Sequence, residues 1–401
     1  MHRCRILRGC NDADVVWVII LEEEILVTEQ DAKKKGRRDW AKKNIPFIII
    51  ELIVLAISIV VLYVVTITTS TVQKVEVNQD NIVINDTVAT VSKEGGKLGD
   101  TKKNTYTGTG VRNIALFGVD SRSGDLGKRT RSDTMIIASI DQDNHQIKLI
   151  SLYRDTYLNL GNDKYSKCNA AYAKGGPEQA MTMLNMNFDL DITDYVTIGF
   201  EGLSEAVDAL GGVEIDIAVD EISHLNNYQR SMYINEDGTG ELNNDITEVY
   251  ESGLQTLNGL QATAYCRIRY TAGNDYKRAE RQRTVIAQLL SRAKSSSLTK
   301  LSKAAMAIMP NVETSLSADE IISILASVGE YEITESDGIP FESNRYSARL
   351  GADGWCIVPT TLLDNVTTLH EMLYPGVEYE ASDRVKEISN YIEVQSAPYI
   401  Q

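Results

Sequence analysis

The stretch 113–122, NIALFGVDSR, together with 129–141, RTRSDTMIIASID, decides the fold class of this chain. Residues 113–119 form an unbroken apolar run with a β-branched and aromatic character. Such a run reads as a strand covered on both faces, not as one side of an exposed sheet. It ends in Gly118-Val119-Asp120, a glycine and a carboxylate where an apolar strand stops. Residues 134–140 and Gln146–Leu152 are two further strands, and the DQDN between them is good hairpin-turn chemistry.

Helical signals alternate with the strands that follow. Residues 177–186 begin at Pro177, which suits a first helical turn. Phe200–Leu210, FEGLSEAVDAL, is amphipathic and is stopped by Gly211-Gly212. Val213–Ile217 and 265–270 read as strands, and the polar stretch 218–252 reads as an insertion or long loop. Residues 278–294 place Val285, Ile286, Leu289 and Leu290 on one helical face. Further helical patterns fall at 301–309, 319–328 and 361–373. Strands alternating with helices predict a layered α/β domain: a three-layer α-β-α sandwich around a mixed central sheet.

Outward from that domain, residues 45–67, IPFIIIELIVLAISIVVLYVVTI, are long enough to cross a hydrocarbon core as a helix. Lys33, Lys34, Lys35, Arg37, Arg38, Lys42 and Lys43 precede the run, and the segment after it is much less basic. The positive-inside rule then predicts a cytoplasmic N-terminus and an extracellular domain, anchored in the cell membrane by one pass. The predicted organisation is a cytoplasmic basic tail (1–44), a transmembrane helix (45–67) and an extracellular stalk (68–110) with a short strand at 81–91. The folded domain (111–380) and a C-terminal tail (381–401) follow. Val15 to Leu21 is apolar but too short to span.

Composition narrows the function. The 401 residues are 43% hydrophobic and 24% charged, as in a folded protein. A net charge of −16 argues against a nucleic-acid partner, which needs a basic face. Five cysteines include no CxxC pair and no nearby His at metal spacing, so zinc is not indicated. Buried thiols are the plainer reading of Cys168, Cys266 and Cys356, and one disulfide among them stays open.

Three clusters carry chemistry, each where a strand is predicted to end: Asp120 with Arg131 and Asp133; Arg154-Asp155; and Arg267, Arg269, Asp275, Arg278, Arg281 and Gln282. Read as a strand, 265–270 puts Arg267 and Arg269 on one face. Arg278 and Arg281 are three apart on a helix and are expected to share a face. Guanidiniums so gathered repel one another unless an anion sits among them, and their planar forks suit phosphate oxygens. Asp120 and Asp133 are a carboxylate pair able to hold Mg²⁺ against a pyrophosphate. A single surface Arg or Asp would be read as a salt bridge. The whole set in an acidic domain reads as a site.

These segments, with ISLYRDTYL (150–158), KCNAAYAKGGPEQA (167–180), GFEGLSEAVDALGGVEIDI (199–217), LNGLQATAYCRIRY (257–270) and DYKRAERQR (275–283), resemble the LytR-CpsA-Psr family in order across 112–292. The resemblance implies an α-β-α fold with a channel for a polyprenyl chain. It implies transfer of an anionic glycopolymer, teichoic acid or capsular polysaccharide, from undecaprenyl pyrophosphate to peptidoglycan. It matches Asp120 and Asp133 to Mg²⁺-associated aspartates. Arg131, Arg154, Arg267, Arg269, Arg278 and Arg281 match arginines that grip pyrophosphate, and Gln282 the adjacent polar contact. Asp155 and Asp275 match acidic positions around the site, either of which could take a hydroxyl proton. Tyr153 departs from the pattern, where proline is commoner, and so does Lys277, where glycine is commoner. The last hundred residues match the motifs poorly and are assigned to packing or substrate breadth. Rival readings are a lipid-pyrophosphate hydrolase, a membrane-bound transcriptional attenuator and a lipid-binding scaffold without chemistry. The predicted topology and the lack of a helix-turn-helix pattern weigh against the attenuator, and the full set of charged positions against the scaffold.

Overall fold

The computed structural model describes residues 110–399 except 121–125, 127–129, 234–245, 272, 298–299, 302–303, 305–307, 309–310, 317–319 and 321–326, with a few positions between 77 and 88. The expected membrane span, the basic tail, most of the stalk and most of the helices at 301–309 and 319–328 lie outside the described residues. Among the described residues, no helix is long and apolar enough to cross a membrane.

Strand β1 (Val111–Val119) is the pivot. It pairs antiparallel with β2 (Ser132–Asp141), which turns into antiparallel β3 (Gln146–Leu152). The DQDN turn forms as expected: Asp141 Oδ1 accepts from the backbone N–H groups of Asp143 (3.1 Å) and Asn144 (2.9 Å). The short strands β4 (Tyr157–Asn159) and β5 (Tyr165–Lys167) make a separate ribbon. Helix α1 (Asn169–Phe188) bends at Gly176, whose φ of 69° sets Pro177 at the start of the second half. Strand β6 (Tyr195–Gly199) then joins β1 in parallel and feeds α2 (Phe200–Leu210). Next come β7 (Val213–Ile217), α3 (Val219–Ser231), β8 (Gly253–Leu257), α4 (Gly259–Arg267) and α5 (Asn274–Lys294). The chain closes with β9 (Val312–Thr314), β10 (Glu332–Ile339), the ribbon of β11 (Arg345–Leu350) and β12 (Gly354–Pro359), then α6 (Leu362–Leu373) and α7 (Asp383–Ser396).

The central sheet runs β10-β3-β2-β1-β6-β9 and is mixed. Alternate residues of each central strand feed opposite cores, as strand geometry requires. Ile114, Ile136, Ala138 and Ile140 join Val207, Leu210, Leu225, Val285 and Leu289 of α2, α3 and α5. Phe117, Met135 and Ile137 join Met181, Leu184, Val366, Leu369, Ile388 and Ile392 of α1, α6 and α7. Two cores on either side of one sheet make the expected three layers.

Four expectations fail for local reasons. The stretch 265–270 is not a strand: Asn258 and Gln261 cap each other's backbone N–H groups at 2.9 Å, and that box starts α4, which runs through Arg267. Part of the presumed loop 218–252 is α3, because Glu221 accepts from Ala218 N–H (2.9 Å) and Leu225 buries fully. No strand forms among the described residues of 81–91. There Asn85 instead donates to Asn185 and Met186 carbonyls and to Asp189. The segment read as a C-terminal tail carries α7, whose Val385, Ile388 and Ile392 are fully buried. Cys168, Cys266 and Cys356 are buried free thiols, so the disulfide left open above does not form among them. Burial pushes the Cys266 thiol up to about 12 and that of Cys356 to about 11.

Candidate functional site

A cavity of about 200 Å³ opens between the sheet and helices α2, α4 and α5. Much of its lining is apolar, with Leu116, Ile136, Val196 and Ile198 from the sheet and Leu203, Val285 and Leu289 from the helices. Its polar lining includes Asp120, Asp133, Arg267, Arg269, Arg278 and Gln282.

Local structure explains why these side chains meet. The ladder between β1 and β2 slips at Gly118/Val119, a bulge that frees the chain just before Asp120. A side chain at Gly118 would meet Thr134 Cβ at 2.8 Å, so the two strands approach closely only because the residue is glycine. Arg267 ends α4, and Ile268 is extended (φ −57°, ψ 124°) and fully buried. An extended residue sends its two neighbours to the opposite side, so Arg267 and Arg269 share the cavity without a strand. The Arg267 guanidinium lies 4.6 Å from the Phe200 ring centroid and 5.4 Å from that of Tyr228. These contacts hold its charge by cation–π attraction. Sequence reading missed both aromatics as site residues, although Phe200 stands in the quoted segment GFEGLSEA.

Behind the wall lies a carboxylate–guanidinium network. Asp275, in the first turn of α5, faces Arg278 Nη2 (3.1 Å), Arg269 Nε (3.5 Å) and Arg154 Nε (3.8 Å) through one oxygen. Arg154 Nη1 donates to Asp133 (2.6 Å), and Arg154 Nε is 3.6 Å from Asp155, which also meets Lys167 at 3.1 Å. Burial and the neighbouring Arg154 charge push the Arg278 guanidinium down to about 10, against the pull of Asp275. Burial also works against Arg154, but Asp133, Asp275 and Asp155 outweigh it and raise its value. The Nε atoms of Arg154 and Arg278 are buried without a hydrogen-bond partner. Arg154 does not line the cavity, but Arg278 does, and an open donor there is where an anion can add a bond.

Asp155 and Asp275 therefore stand among the arginines, off the cavity wall. Arg131 is exposed just before β2 and does not line the cavity. Arg281 corrects the expectation that it shares a face with Arg278. It is 3% exposed, its Nε pairs with Glu221 at 2.7 Å, and its other nitrogens donate to Ile268 O (3.1 Å) and Thr271 Oγ1 (2.6 Å). A three-residue step leaves two helical side chains about 60° apart, and the buried carboxylate on α3 draws Arg281 to that side. Gln282, one residue on, lines the cavity, with its Nε2 at 3.4 Å from Cys266 O.

Tyr153 shows what its departure from proline does. Its ring meets Tyr276 edge-on at 4.7 Å, and its hydroxyl accepts from Arg345 Nη1 at 3.1 Å. Arg345 lies 3.8 Å over the Tyr276 ring and donates to Pro340 O at 3.0 Å. One residue of β11 thus braces the neighbours of both Arg154 and Asp275, a contact that no motif signalled.

Fold and site together define a three-layer α-β-α protein whose apolar cavity is lined on its polar side by arginines and carboxylates. The chain belongs to the LytR-CpsA-Psr family: the LytR_cpsA_psr family model matches residues 65–368. It is 34% identical over 223 residues to the polyisoprenyl-teichoic acid–peptidoglycan teichoic acid transferase TagU of Oceanobacillus iheyensis. That match covers 54% of this chain and 62% of the relative, so the chain spans less than two thirds of it. The crystal structure of protein gbs0355 from Streptococcus agalactiae superposes with a TM-score of 0.56 at 26% identity, over 70% of this chain and 92% of that one. The structure of TagT bound to LI-WTA superposes with a TM-score of 0.52 at 20% identity, over 67% and 92%, a likeness of fold.

Proposed function

We propose that this chain is a phosphotransferase that moves an anionic glycopolymer, teichoic acid or capsular polysaccharide, from undecaprenyl pyrophosphate onto peptidoglycan. The observation that carries this reading is the lining of one cavity, which combines apolar side chains of sheet and helices with Arg267, Arg269, Arg278 and Gln282. That pattern suits a ligand that is hydrocarbon at one end and pyrophosphate at the other. A hydroxyl of the acceptor attacks the phosphorus that bears the glycan, and the bond to the bridging oxygen breaks. Undecaprenyl phosphate leaves with that electron pair, and the proton of the attacking hydroxyl passes to the departing phosphate or to solvent. The guanidiniums offset charge on the bridging and equatorial oxygens. Asp155 and Asp275 act by orienting Arg154, Arg269 and Arg278.

Asp120 and Asp133 fit Mg²⁺, since both carboxylates line the cavity beside the arginines, and Mg²⁺ takes few carboxylates plus substrate oxygens and water. When bound there, the ion would draw charge off the pyrophosphate oxygens. The reaction is tested with a polyprenyl-pyrophosphate-linked glycan and soluble peptidoglycan strands. Phosphodiester-linked product and polyprenyl phosphate are expected, with a rate that falls in EDTA. Asp133→Ala should lose most of that EDTA sensitivity along with its activity. Equal release of lipid with and without strands would make the protein a hydrolase. Equal wild-type rates with and without EDTA would remove the metal.

The reading also places the domain outside the cell, anchored by residues 45–67 with the basic tail in the cytoplasm. Protease added to intact protoplasts should digest the chain beyond Thr68. A protected domain would overturn this topology and the wall substrate with it.

A further inference from the structure

The ribbon of β11 and β12 has two unlike faces. Ala348, Leu350, Cys356 and Val358 point inward and belong to the core under α6 and α7. The other face carries Arg345, Ser347 and Arg349 opposite Pro359, Ile357 and Trp355. Midway along that face Ile357 packs against Tyr153 and Ala279, and its N–H donates to Asp155 O at 2.9 Å. These contacts reach the chain neighbours of Arg154 and of Arg278, the latter on the cavity wall. At one end stands Trp355, 67% exposed, directly across from exposed Arg349. Arg349 makes no ion pair among the described residues. Asp353, at the turn of the ribbon, is taken up by Ser166 Oγ at 2.5 Å.

An exposed indole and a guanidinium across one rung of the ribbon offer an apolar face and a forked donor side by side. The C–H face of a pyranose packs on an indole face and sheds water from both. A guanidinium at the same level takes a carboxylate. In a chain of net charge −16, a cationic ledge selects an anionic partner against the general field. Two residues along a strand are about 7 Å, so Trp355 lies a short step from the residue that touches the Arg154-Asp155 loop.

We propose that Trp355 and Arg349 form an acceptor subsite, on which a strand of N-acetylated amino sugars carrying carboxylates is laid so that a hydroxyl reaches the cavity. The proposal rests on the transferase reading of that cavity. Trp17 and Trp40 both precede the domain, so in a chain with both changed to Phe, Trp355 is the sole tryptophan. Titrating soluble, uncrosslinked peptidoglycan strands into that full chain in detergent should shift its emission saturably. Arg349→Ala should weaken the titration about threefold to fivefold, as for an exposed ion pair, and Arg349→Lys should recover most of it. In the transfer assay Trp355→Ala should raise the KM for strands about tenfold. Saturable emission without polymer transfer would sink the transferase reading and leave the subsite standing. Transfer with unchanged emission, or with an unchanged acceptor KM in Trp355→Ala, would remove the subsite and leave the transferase.

Discussion

Glu221→Gln should destabilise the domain by about 3–5 kcal/mol, the usual result of stripping one partner from a buried ion pair. Glu221 is 6% exposed and Arg281 is 3% exposed. One carboxylate oxygen meets Arg281 Nε at 2.7 Å while the other accepts from Ala218 N–H at 2.9 Å. Glutamine can keep the cap on α3 but cannot neutralise the guanidinium. Arg281 would then face only the neutral acceptors Ile268 O and Thr271 Oγ1. Urea denaturation followed by circular dichroism measures the change. Removing both charges, as Glu221→Gln with Arg281→Met, should recover part of the loss, because the second change deletes the stranded charge. An unmoved midpoint in Glu221→Gln would show that Arg281 is not held by this pair. It would also reopen the sequence reading in which Arg281 faces the pyrophosphate.

Arg278→Ala should lower transfer by about tenfold to a hundredfold while the fold persists. A hydrogen bond to a charged group is worth about 1.5–3 kcal/mol, and each 1.36 kcal/mol is a factor of about ten in rate. Arg278 is 5% exposed, lines the cavity and keeps a buried Nε without a partner. Its value of about 10, depressed by burial and by Arg154, still leaves it protonated at neutral pH. Removing it relieves the repulsion from Arg154, which offsets part of the lost contact with Asp275 at 3.1 Å. Stability and activity therefore separate at this residue, in contrast to Arg281. Lysine should recover little, since an ammonium cannot present two parallel donors. A variant that lost its melting transition but kept its rate per folded molecule would demote Arg278 to a structural role.

The contrast between Arg278 and Arg281 marks what is legible in a sequence. Both lie in DYKRAERQR, both match arginine positions of the family, and helical spacing predicts a common face. Which side a long side chain takes is settled by what waits for it, and Glu221 is sixty residues away on a helix that looked like a loop. That helix was hidden because its amphipathic signal is weak: Ile222, Leu225 and Tyr228 are its only large apolar residues after the first. Likewise the strand expected at 265–270 rested on residue type alone, and the Asn258–Gln261 capping box upstream overrode it. The functional consequence survived, because one extended residue, Ile268, aligns Arg267 with Arg269 as a strand would.

Patterns that depend on neighbours in the chain were readable from the residues alone. These are the doubly covered apolar strands, the DQDN hairpin and the Gly211-Gly212 stop. Each reflects a local rule, alternation, turn chemistry or helix termination, that acts over a few residues. Tertiary structure alone decided which arginines line the cavity and which are locked in ion pairs. It also decided that Arg345 braces Tyr153 and Tyr276, that α7 belongs to the core, and that Trp355 stands exposed across from Arg349. These depend on desolvation and on the partner that meets a side chain across the fold, and neither quantity is written in the spacing of residues along the chain.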